Sequence, residues 1–251
     1  MNLQQITQKI LEKTQYSGNK EPGVKSISAS DFGNDLLQIY LRYKHGVPNN
    51  TEFGQDTLGT LVHLGIQSIF DEDGILIEPK FEKKFDNGWN LTGSIDILNL
   101  KDKEIIDIKV TKQYTIEKIL KEPNHQYRWQ LSVYKYLAEK EYNLKFSTKL
   151  LLVLKDGGYD FRKSVINPSI ELLEIEPMSS EQIEDKFYEI TNKIEEYEKL
   201  GEYPPICSDL WWRKTKEGSI PIRCKQYCSY KDVCPYYKQI KGNPLKINID
   251  F

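Results

Sequence analysis

The chain contains two neighbouring stretches that decide its fold, Gly93-Ser94-Ile95-Asp96-Ile97-Leu98 and Glu104-Ile105-Ile106-Asp107-Ile108-Lys109-Val110. Apolar residues, most of them β-branched, recur through both stretches, which predicts two strands. A short loop centred on Lys101-Asp102 would join them into a hairpin that places Asp96 directly opposite Asp107. The sequence therefore predicts a β-hairpin with two carboxylates facing each other across it.

One face of the predicted hairpin carries the chemistry. Side chains alternate between the two faces of a strand, so Asp107 and Lys109 share a face, and Asp96 joins them from the other strand. Opposed carboxylates repel each other, and a divalent cation such as Mg²⁺ or Mn²⁺ between them removes that penalty. A lysine about 6–7 Å along the strand would act on the attacking water or on the phosphate in metal-assisted hydrolysis. An exposed hairpin face with ordinary carboxylates and a lysine is the alternative.

The remaining pattern predicts an α/β (α+β) fold with a mixed sheet. Helices are predicted over 1–13, from Ser28 or Ser30 to 44, and over 55–70, 126–139 and 180–200. Strands are predicted over 75–85, 89–99, 104–111 and 150–154, with weaker ones at 161–167, 171–176 and 245–251. The hairpin face opposite the carboxylates would enter the core through Ile95, Ile97, Ile106, Ile108 and Val110. This order is typical of a mixed sheet flanked by helices.

Two of the predicted helices add polar residues to the candidate site. His63 lies in the helix over 55–70, where it is either a metal ligand or a hydrogen-bonded core residue. Gln130 and Tyr134 are four residues apart in the helix over 126–139 and therefore share a face. Taken alone, neither pattern identifies a function.

Taken together and in this order, His63, Gly93-x-x-Asp96, Asp107-x-Lys109 and Gln130-x-x-x-Tyr134 resemble the motif series of RecB-like nucleases of the PD-(D/E)xK superfamily. That superfamily includes the nuclease domains of RecB and AddB, the CRISPR-associated RecB-type exonucleases and many phage exonucleases. The resemblance covers nearly the whole chain. It implies a restriction-endonuclease-like core with a central mixed β-sheet flanked by helices.

The resemblance also implies a role for each matched residue. The implied metal ligands are the side chains of His63, Asp96 and Asp107 and the backbone carbonyl of Ile108. Lys109 would be the catalytic lysine, and Gln130 and Tyr134 would contact DNA or steady the site. Asp107 stands where most members have Glu, and Asp is an accepted variant at that position.

All four cysteines lie late in the chain, and they are Cys207, Cys224, Cys228 and Cys234. In a reducing compartment such a set is more typical of metal ligands than of disulfides. Several RecB-like nucleases carry a 4Fe-4S cluster that ties the C-terminal segment to the core, and four cysteines also suit zinc. Buried thiols without a metal are the third possibility. The family usually takes one ligand from a helix near residues 36–42, which hold no cysteine here, so Cys207 would be the fourth ligand.

Length and composition set the remaining expectations. The 251 residues suffice for a nuclease core with N-terminal helices over 1–200 and a Cys-rich, metal-stapled segment over 201–251 packed on that core. Hydrophobic residues make up 39% and charged residues 29%, and there is no apolar span of membrane length and no signal-peptide layout. We therefore expect a cytoplasmic protein without a membrane partner. The net charge of −2 does not indicate a nucleic-acid partner, nor does it exclude one, because binding depends on local charge.

We expect a Mg²⁺- or Mn²⁺-dependent deoxyribonuclease, specifically an exonuclease acting on single-stranded DNA or on DNA with free ends. Two other functions stay open. A non-catalytic nucleic-acid-binding or assembly protein on the same fold would bind DNA without a divalent ion. A restriction-type endonuclease would cut circular DNA into discrete fragments. The sequence does not identify the polarity of digestion, the oligomeric state, or protein partners in a repair, replication or CRISPR complex.

Overall fold

The structure is a computed structural model, and it describes residues 21–47, 55–70, 72–160, 165–208, 210, 212–215 and 218–242. The predicted helix over 1–13 and the predicted strand over 245–251 lie outside the described residues. The chain divides into two compact units. The first contains residues 26–33 and the described part of 51–188, and the second contains 21–25, 34–47 and the described part of 189–242.

The described residues form helices and strands with the following bounds. The helices are α1 (Leu36–His45), α2 (Gln55–Gln67), α3 (Tyr114–Lys121), α4 (Gln126–Tyr142), α5 (Ser180–Leu200) and α6 (Pro235–Gly242). The strands of the first unit are β1 (Ser26–Ser28), β2 (Ile75–Ile77), β3 (Lys80–Lys84), β4 (Asn90–Ser94), β5 (Ile97–Asn99), β6 (Glu104–Thr111), β7 (Ser147–Leu154), β8 (Gly158–Asp160), β9 (Val165–Asn167) and β10 (Ile170–Glu174). The second unit contains the hairpin β11 (Trp212–Thr215) and β12 (Gly218–Pro221).

A five-stranded mixed sheet forms the centre of the first unit, in the order β10-β7-β6-β5-β2. Strands β6 and β7 are parallel, and the other neighbours are antiparallel. A three-stranded sheet in the order β1-β4-β3 lies in the same unit, and α4 contacts strands of both sheets. The predicted central mixed sheet flanked by helices is confirmed, whereas the second sheet was not predicted.

The predicted strands over 75–85 and 89–99 are each interrupted once, at the point where they leave one sheet and enter the other. Their register stays constant across the interruption, because Ile77 pairs with Ile97 and Lys80 with Ser94. Glu78 has a φ of 50° in the left-handed region, and the residue after it, Pro79, has no N–H group for the ladder. The two continuous strands that were predicted are therefore wrong at 78–79 and 95–96.

The predicted pairing of β5 with β6 is confirmed at Ile97–Ile106 and Leu98–Ile105. The predicted ladder pair of Asp96 with Asp107 is wrong, because β5 begins only at Ile97. Strand β6 is also an interior strand, and both of its faces are covered. The alternative of an exposed hairpin face is excluded by the burial of Asp107, whose exposed fraction is 1%.

Several predicted helix bounds also change. The helix predicted from Ser28 or Ser30 to 44 is a 3₁₀ turn over Ala29–Asp31 followed by α1, and helix α3 was not predicted. In that turn Asp31 Oδ2 accepts hydrogen bonds from the Ser28 amide and hydroxyl, both at 2.7 Å. These bonds stabilise a local turn that competes with a continuous helix. The helix predicted over 180–200 is confirmed as α5.

The second unit is held by a small core and an ion pair. Its core contains Leu37, Leu41 and Cys234. Asp35 precedes α1, and its carboxylate accepts a hydrogen bond from Arg223 at 2.7 Å and from the Ser208 amide at 3.0 Å. The predicted boundary after residue 200 stays a prediction. Nowhere in the described parts of the chain does a helix combine the length and apolarity that a membrane crossing requires.

Candidate active site

Asp107 is the most deeply buried charged group of the site. It lies in the middle of β6, with an exposed fraction of 1%. Burial raises the pKa of its carboxyl to about 6, although Lys109 lowers this pKa and Asp96 raises it further. Lys109 Nζ lies 2.7 Å from Asp107 Oδ2, while no described residue donates a hydrogen bond to Oδ1. A buried carboxylate oxygen without a donor is costly, and a bound cation would satisfy it.

The Asp96 carboxylate lies beside β6 at the point where β4 has ended and β5 has not yet begun. Its Oδ2 accepts a hydrogen bond from the Ile108 amide at 2.7 Å, which fixes the carboxylate beside β6. His63 Nδ1 lies 3.5 Å from the same oxygen. Gln67, one turn further along α2 and buried, lies with its Nε2 3.4 Å from the Asp96 carbonyl oxygen. Helix α2 and the end of β4 thus bring together the predicted residues His63 and Asp96.

Lys109 is the cationic side chain of the candidate site. Burial lowers the pKa of its ammonium, but Asp107 and Asp96 raise it, and the net change is upward, so this side chain is a cation at neutral pH. Its Nζ also lies 5.3 Å from the centre of the Tyr127 ring, a cation–π contact. Tyr127 was not predicted. The only sequence signal for it was its position three residues before Gln130 on the same helix.

Gln130 and Tyr134 contact each other rather than standing apart. Gln130 Nε2 donates to the Tyr134 hydroxyl at 2.7 Å, and Tyr134 is buried. A Cβ atom at Gly93 would lie 3.1 Å from the rings and methyls of Tyr134 and Leu137. Gly93 therefore lets α4 pack closely on β4, which explains the glycine of the Gly-x-x-Asp motif. The burial of Tyr134 favours a steadying role for this pair over direct DNA contact, and both roles stay predictions.

The donor set fits a hard divalent cation. Two carboxylates and one ammonium leave a net negative charge, which a cation would offset. Among the described residues, no three His, Cys, Asp or Glu side chains converge on one metal position. Mg²⁺ does not require this, because it is commonly bound through one or two carboxylates together with waters and substrate phosphate. For Ile108 it is the amide that takes part in the site, and the predicted ligand role of its carbonyl stays a prediction.

The four cysteines line one small cavity in the second unit. The cavity has a volume of about 20 Å³, and Leu37 and Leu41 also line it. All four thiols are unbonded to each other, and burial raises the pKa of Cys207 to about 12 and of Cys224 to about 11. Four thiolates suit an iron–sulfur cluster or zinc. No three of these sulfurs, or of any other described ligands, already stand in a metal-binding arrangement.

Comparison with protein families decides the assignment. A family model described as the PD-(D/E)XK nuclease superfamily matches residues 68–235. The chain belongs to this superfamily. The matched stretch contains Asp96, Asp107 and Lys109, and His63 precedes it. The resemblance inferred from the order of the motifs is confirmed, and so is the fold class of the core.

Comparison with solved structures agrees on the fold. The crystal structure of SSO0001 matches with a TM-score of 0.57 and 17% identity, and the match covers 92% of this chain and 96% of that one. An alkaline exonuclease from Laribacter hongkongensis matches with a TM-score of 0.46 and 16% identity over 71% of this chain and 93% of its own. A phage-related exonuclease from Haemophilus somnus matches with a TM-score of 0.36 and 14% identity over 70% of this chain and 94% of its own. Only the first score is high enough to support the fold. A search of the curated proteins found no match.

Proposed function

We propose that this superfamily member is a Mg²⁺- or Mn²⁺-dependent deoxyribonuclease that acts as an exonuclease on linear or single-stranded DNA. One observation carries the metal and the reaction: the buried Asp107 carboxylate has an oxygen without a hydrogen-bond donor among the described residues, beside Asp96 and Lys109. The exonuclease mode rests on the resemblance to RecB-type and phage exonucleases.

The two carboxylates and His63 would form the metal-binding part of the site. Asp96 and Asp107 would hold the metal, with His63 either as a further ligand through Nδ1 or as the group that orients Asp96. The Ile108 amide fixes Asp96 Oδ2, so this carboxylate keeps its place when substrate arrives. A bound divalent cation supplies a Lewis acid for the phosphate and lowers the pKa of a bound water.

Lys109 is placed to act on the reacting groups. Its ammonium pairs with Asp107 on the same strand, β6. With a cation bound at the carboxylates, this ammonium would act on the attacking water or on the charge that develops on the phosphate. The Tyr127 ring, whose centre lies 5.3 Å from Lys109 Nζ, would hold the ammonium near that position.

The cysteine cavity would hold a structural metal group in the same proposal. A 4Fe-4S cluster is the first candidate and Zn²⁺ the second, with Cys207 replacing the ligand that the family takes from its N-terminal helix. The support is that all four thiols line one cavity. Such a group would contribute to the stability of the second unit and take no part in hydrolysis.

The test uses linear DNA labelled at the 5′ or the 3′ end, single- and double-stranded, and an unlabelled circular DNA. Each is incubated with Mg²⁺, Mn²⁺ or EDTA, with the wild type and with Asp107→Ala. We expect metal-dependent release of labelled nucleotides from linear DNA by the wild type only, and the label that is released first gives the polarity. If the wild type cut circular DNA into discrete fragments, the protein would be assigned as an endonuclease instead of an exonuclease. DNA binding without cleavage under any metal would overturn the enzyme assignment in favour of a binding or assembly protein.

A further inference from the structure

Helix α3 presents exposed aromatic and basic side chains that the proposed reaction does not use. Tyr114 begins this helix with 61% of its side chain exposed. Lys118 is exposed on the same helix face, four residues further on, and Lys112 is exposed just before the helix. With His125 these residues form what we call the Tyr114 surface. The helix buries Ile119 on its opposite side.

The Tyr114 surface adjoins the catalytic lysine through Tyr127. The Tyr127 ring lies 5.3 Å from Lys109 Nζ and its centre lies 4.8 Å from the centre of the His125 ring. Tyr114 is close enough to Tyr127 to raise the pKa of its phenol, together with the larger effect of burial. Helix α3 is also tied to the end of β6, because the Thr111 and Thr115 hydroxyls are hydrogen-bonded at 2.8 Å.

The charges of this surface are open to a ligand. Glu117 of α3 is paired with Lys121 at 3.1 Å. No described residue forms an ion pair with Lys112 or Lys118. The His125 ring accepts a hydrogen bond from the Tyr127 amide at Nδ1, so its nitrogen at that position is unprotonated and the ring is neutral. The surface thus offers two cationic groups and two aromatic rings, Tyr114 and His125, along a path that ends at Lys109.

We propose that the Tyr114 surface binds the single strand of nucleic acid that adjoins the cleaved phosphate, with a base stacked on Tyr114 and backbone phosphates near Lys112 and Lys118. This rests on the proposed function and names the substrate form. Base faces are accessible for stacking on an aromatic ring in a single strand, whereas in a duplex they are covered by the neighbouring base pairs. The surface therefore selects single-stranded DNA, or a frayed end, over an intact duplex.

The test measures kcat and KM separately on a single-stranded oligonucleotide and on the matching duplex. Tyr114→Ala should raise KM for the single strand about tenfold and leave kcat unchanged, because a stacked base contributes only to binding. Tyr114→Phe keeps the ring and should restore the wild-type KM. For the duplex, Tyr114→Ala should have little effect. Leu120→Ala is the matched control, since Leu120 is 67% exposed on the same helix but lies off the Tyr114 face.

Lys118→Ala gives a second, independent readout. It should reduce the slope of log KM against log salt concentration by about 0.7, the value for one phosphate contact to a single strand. Lys145→Ala, which removes a lysine that is 90% exposed three residues beyond the C-terminal end of α4, should leave the slope unchanged.

Three outcomes would overturn the proposal. These are an unchanged single-strand KM in Tyr114→Ala, an equal rise for single strand and duplex, and a fall in kcat at constant KM. If the wild type cleaves nothing, the surface is tested alone by fluorescence anisotropy of the single-stranded oligonucleotide in EDTA. Weaker binding by Tyr114→Ala, with binding restored by Tyr114→Phe, would then support the surface while the nuclease function fails. Equal binding would overturn the surface as well.

Discussion

Replacing Asp107 by Asn should stabilise the metal-free protein at neutral pH. The wild-type carboxylate is buried and ionised at pH 7, and Lys109 is the ion-pair partner that offsets most of its charge. Asn has nearly the same shape and no charge. The substitution therefore removes the desolvation cost of a buried charge.

The magnitude follows from the pKa of Asp107. Burial raises this pKa from 3.8 to about 6 in the folded chain, and each unit corresponds to about 1.4 kcal/mol. The ionised carboxylate thus costs about 3 kcal/mol of folding free energy at pH 7. As the pH falls through about 6, the folded protein takes up a proton that the unfolded chain binds only near about 4, so the wild type gains stability as the pH falls between these values. The advantage of Asp107→Asn should shrink over the same window.

Urea unfolding in EDTA measures this difference. The free energies of unfolding of the wild type and of Asp107→Asn are compared at pH 7 and pH 5, so that the contributions of all other carboxyl groups cancel between the two proteins. We expect Asp107→Asn to be more stable at pH 7, with a clearly smaller gap at pH 5. A variant that is less stable at pH 7, or a gap that does not change with pH, would refute the reasoning. Added Mn²⁺ should stabilise the wild type and not the variant.

Three further predictions concern packing, the second unit and the cysteines. Gly93→Ala should lower the free energy of unfolding by about 1–2 kcal/mol, because its Cβ would crowd α4, whereas Gly59→Ala, with nothing within 4 Å, should raise it by about 0.5–1 kcal/mol; equal effects in urea unfolding would contradict this. Asp35→Ala should cost about 2 kcal/mol at pH 7 by removing the partner of Arg223. The pKa of Asp35 is lowered in the folded state, so this cost should fall as the pH drops below about 4, and a cost independent of pH would argue against the ion pair. Cys234→Ser should lower the iron or zinc content of the purified protein in elemental analysis, and an unchanged content would exclude Cys234 as a ligand.

The sequence predicted strand β6 and the register of its hairpin because periodicity and loop length determine both. It did not reveal the interruption at residues 95–96. An apolar strand that passes from one sheet to another has the same sequence pattern as a strand that stays in one sheet. The consequence is local but important. Asp96 does not stand opposite Asp107 in the ladder, and it instead binds the Ile108 amide through its side chain.

Two residues near the candidate site, Tyr127 and Tyr114, were not predicted for the same physical reason. Tyr127 and Tyr114 acquire their positions from the packing of α3 and α4 beside β6, which has no periodic signal in the sequence. Helix α3 itself escaped prediction because its eight residues are fewer than the roughly 11–18 residues over which helical periodicity can be recognised. By contrast, the order of His63, Asp96, Asp107 and Lys109 along the chain was visible in the sequence as a motif. In the structure His63 comes from α2, Asp96 from the interruption between β4 and β5, and Asp107 and Lys109 from β6.

A single-turnover cleavage assay of two lysine variants tests the central claim most directly. Lys109→Ala removes the ammonium beside Asp107, and Lys149→Ala removes a lysine of the adjacent strand β7 that is paired with Glu104 instead. With enzyme in excess over end-labelled single-stranded DNA and saturating Mn²⁺, we predict that Lys109→Ala slows cleavage at least about 100-fold and that Lys149→Ala stays close to the wild type. Cleavage by Lys109→Ala at the wild-type rate would contradict the assignment of Asp96, Asp107 and Lys109 as the nuclease site.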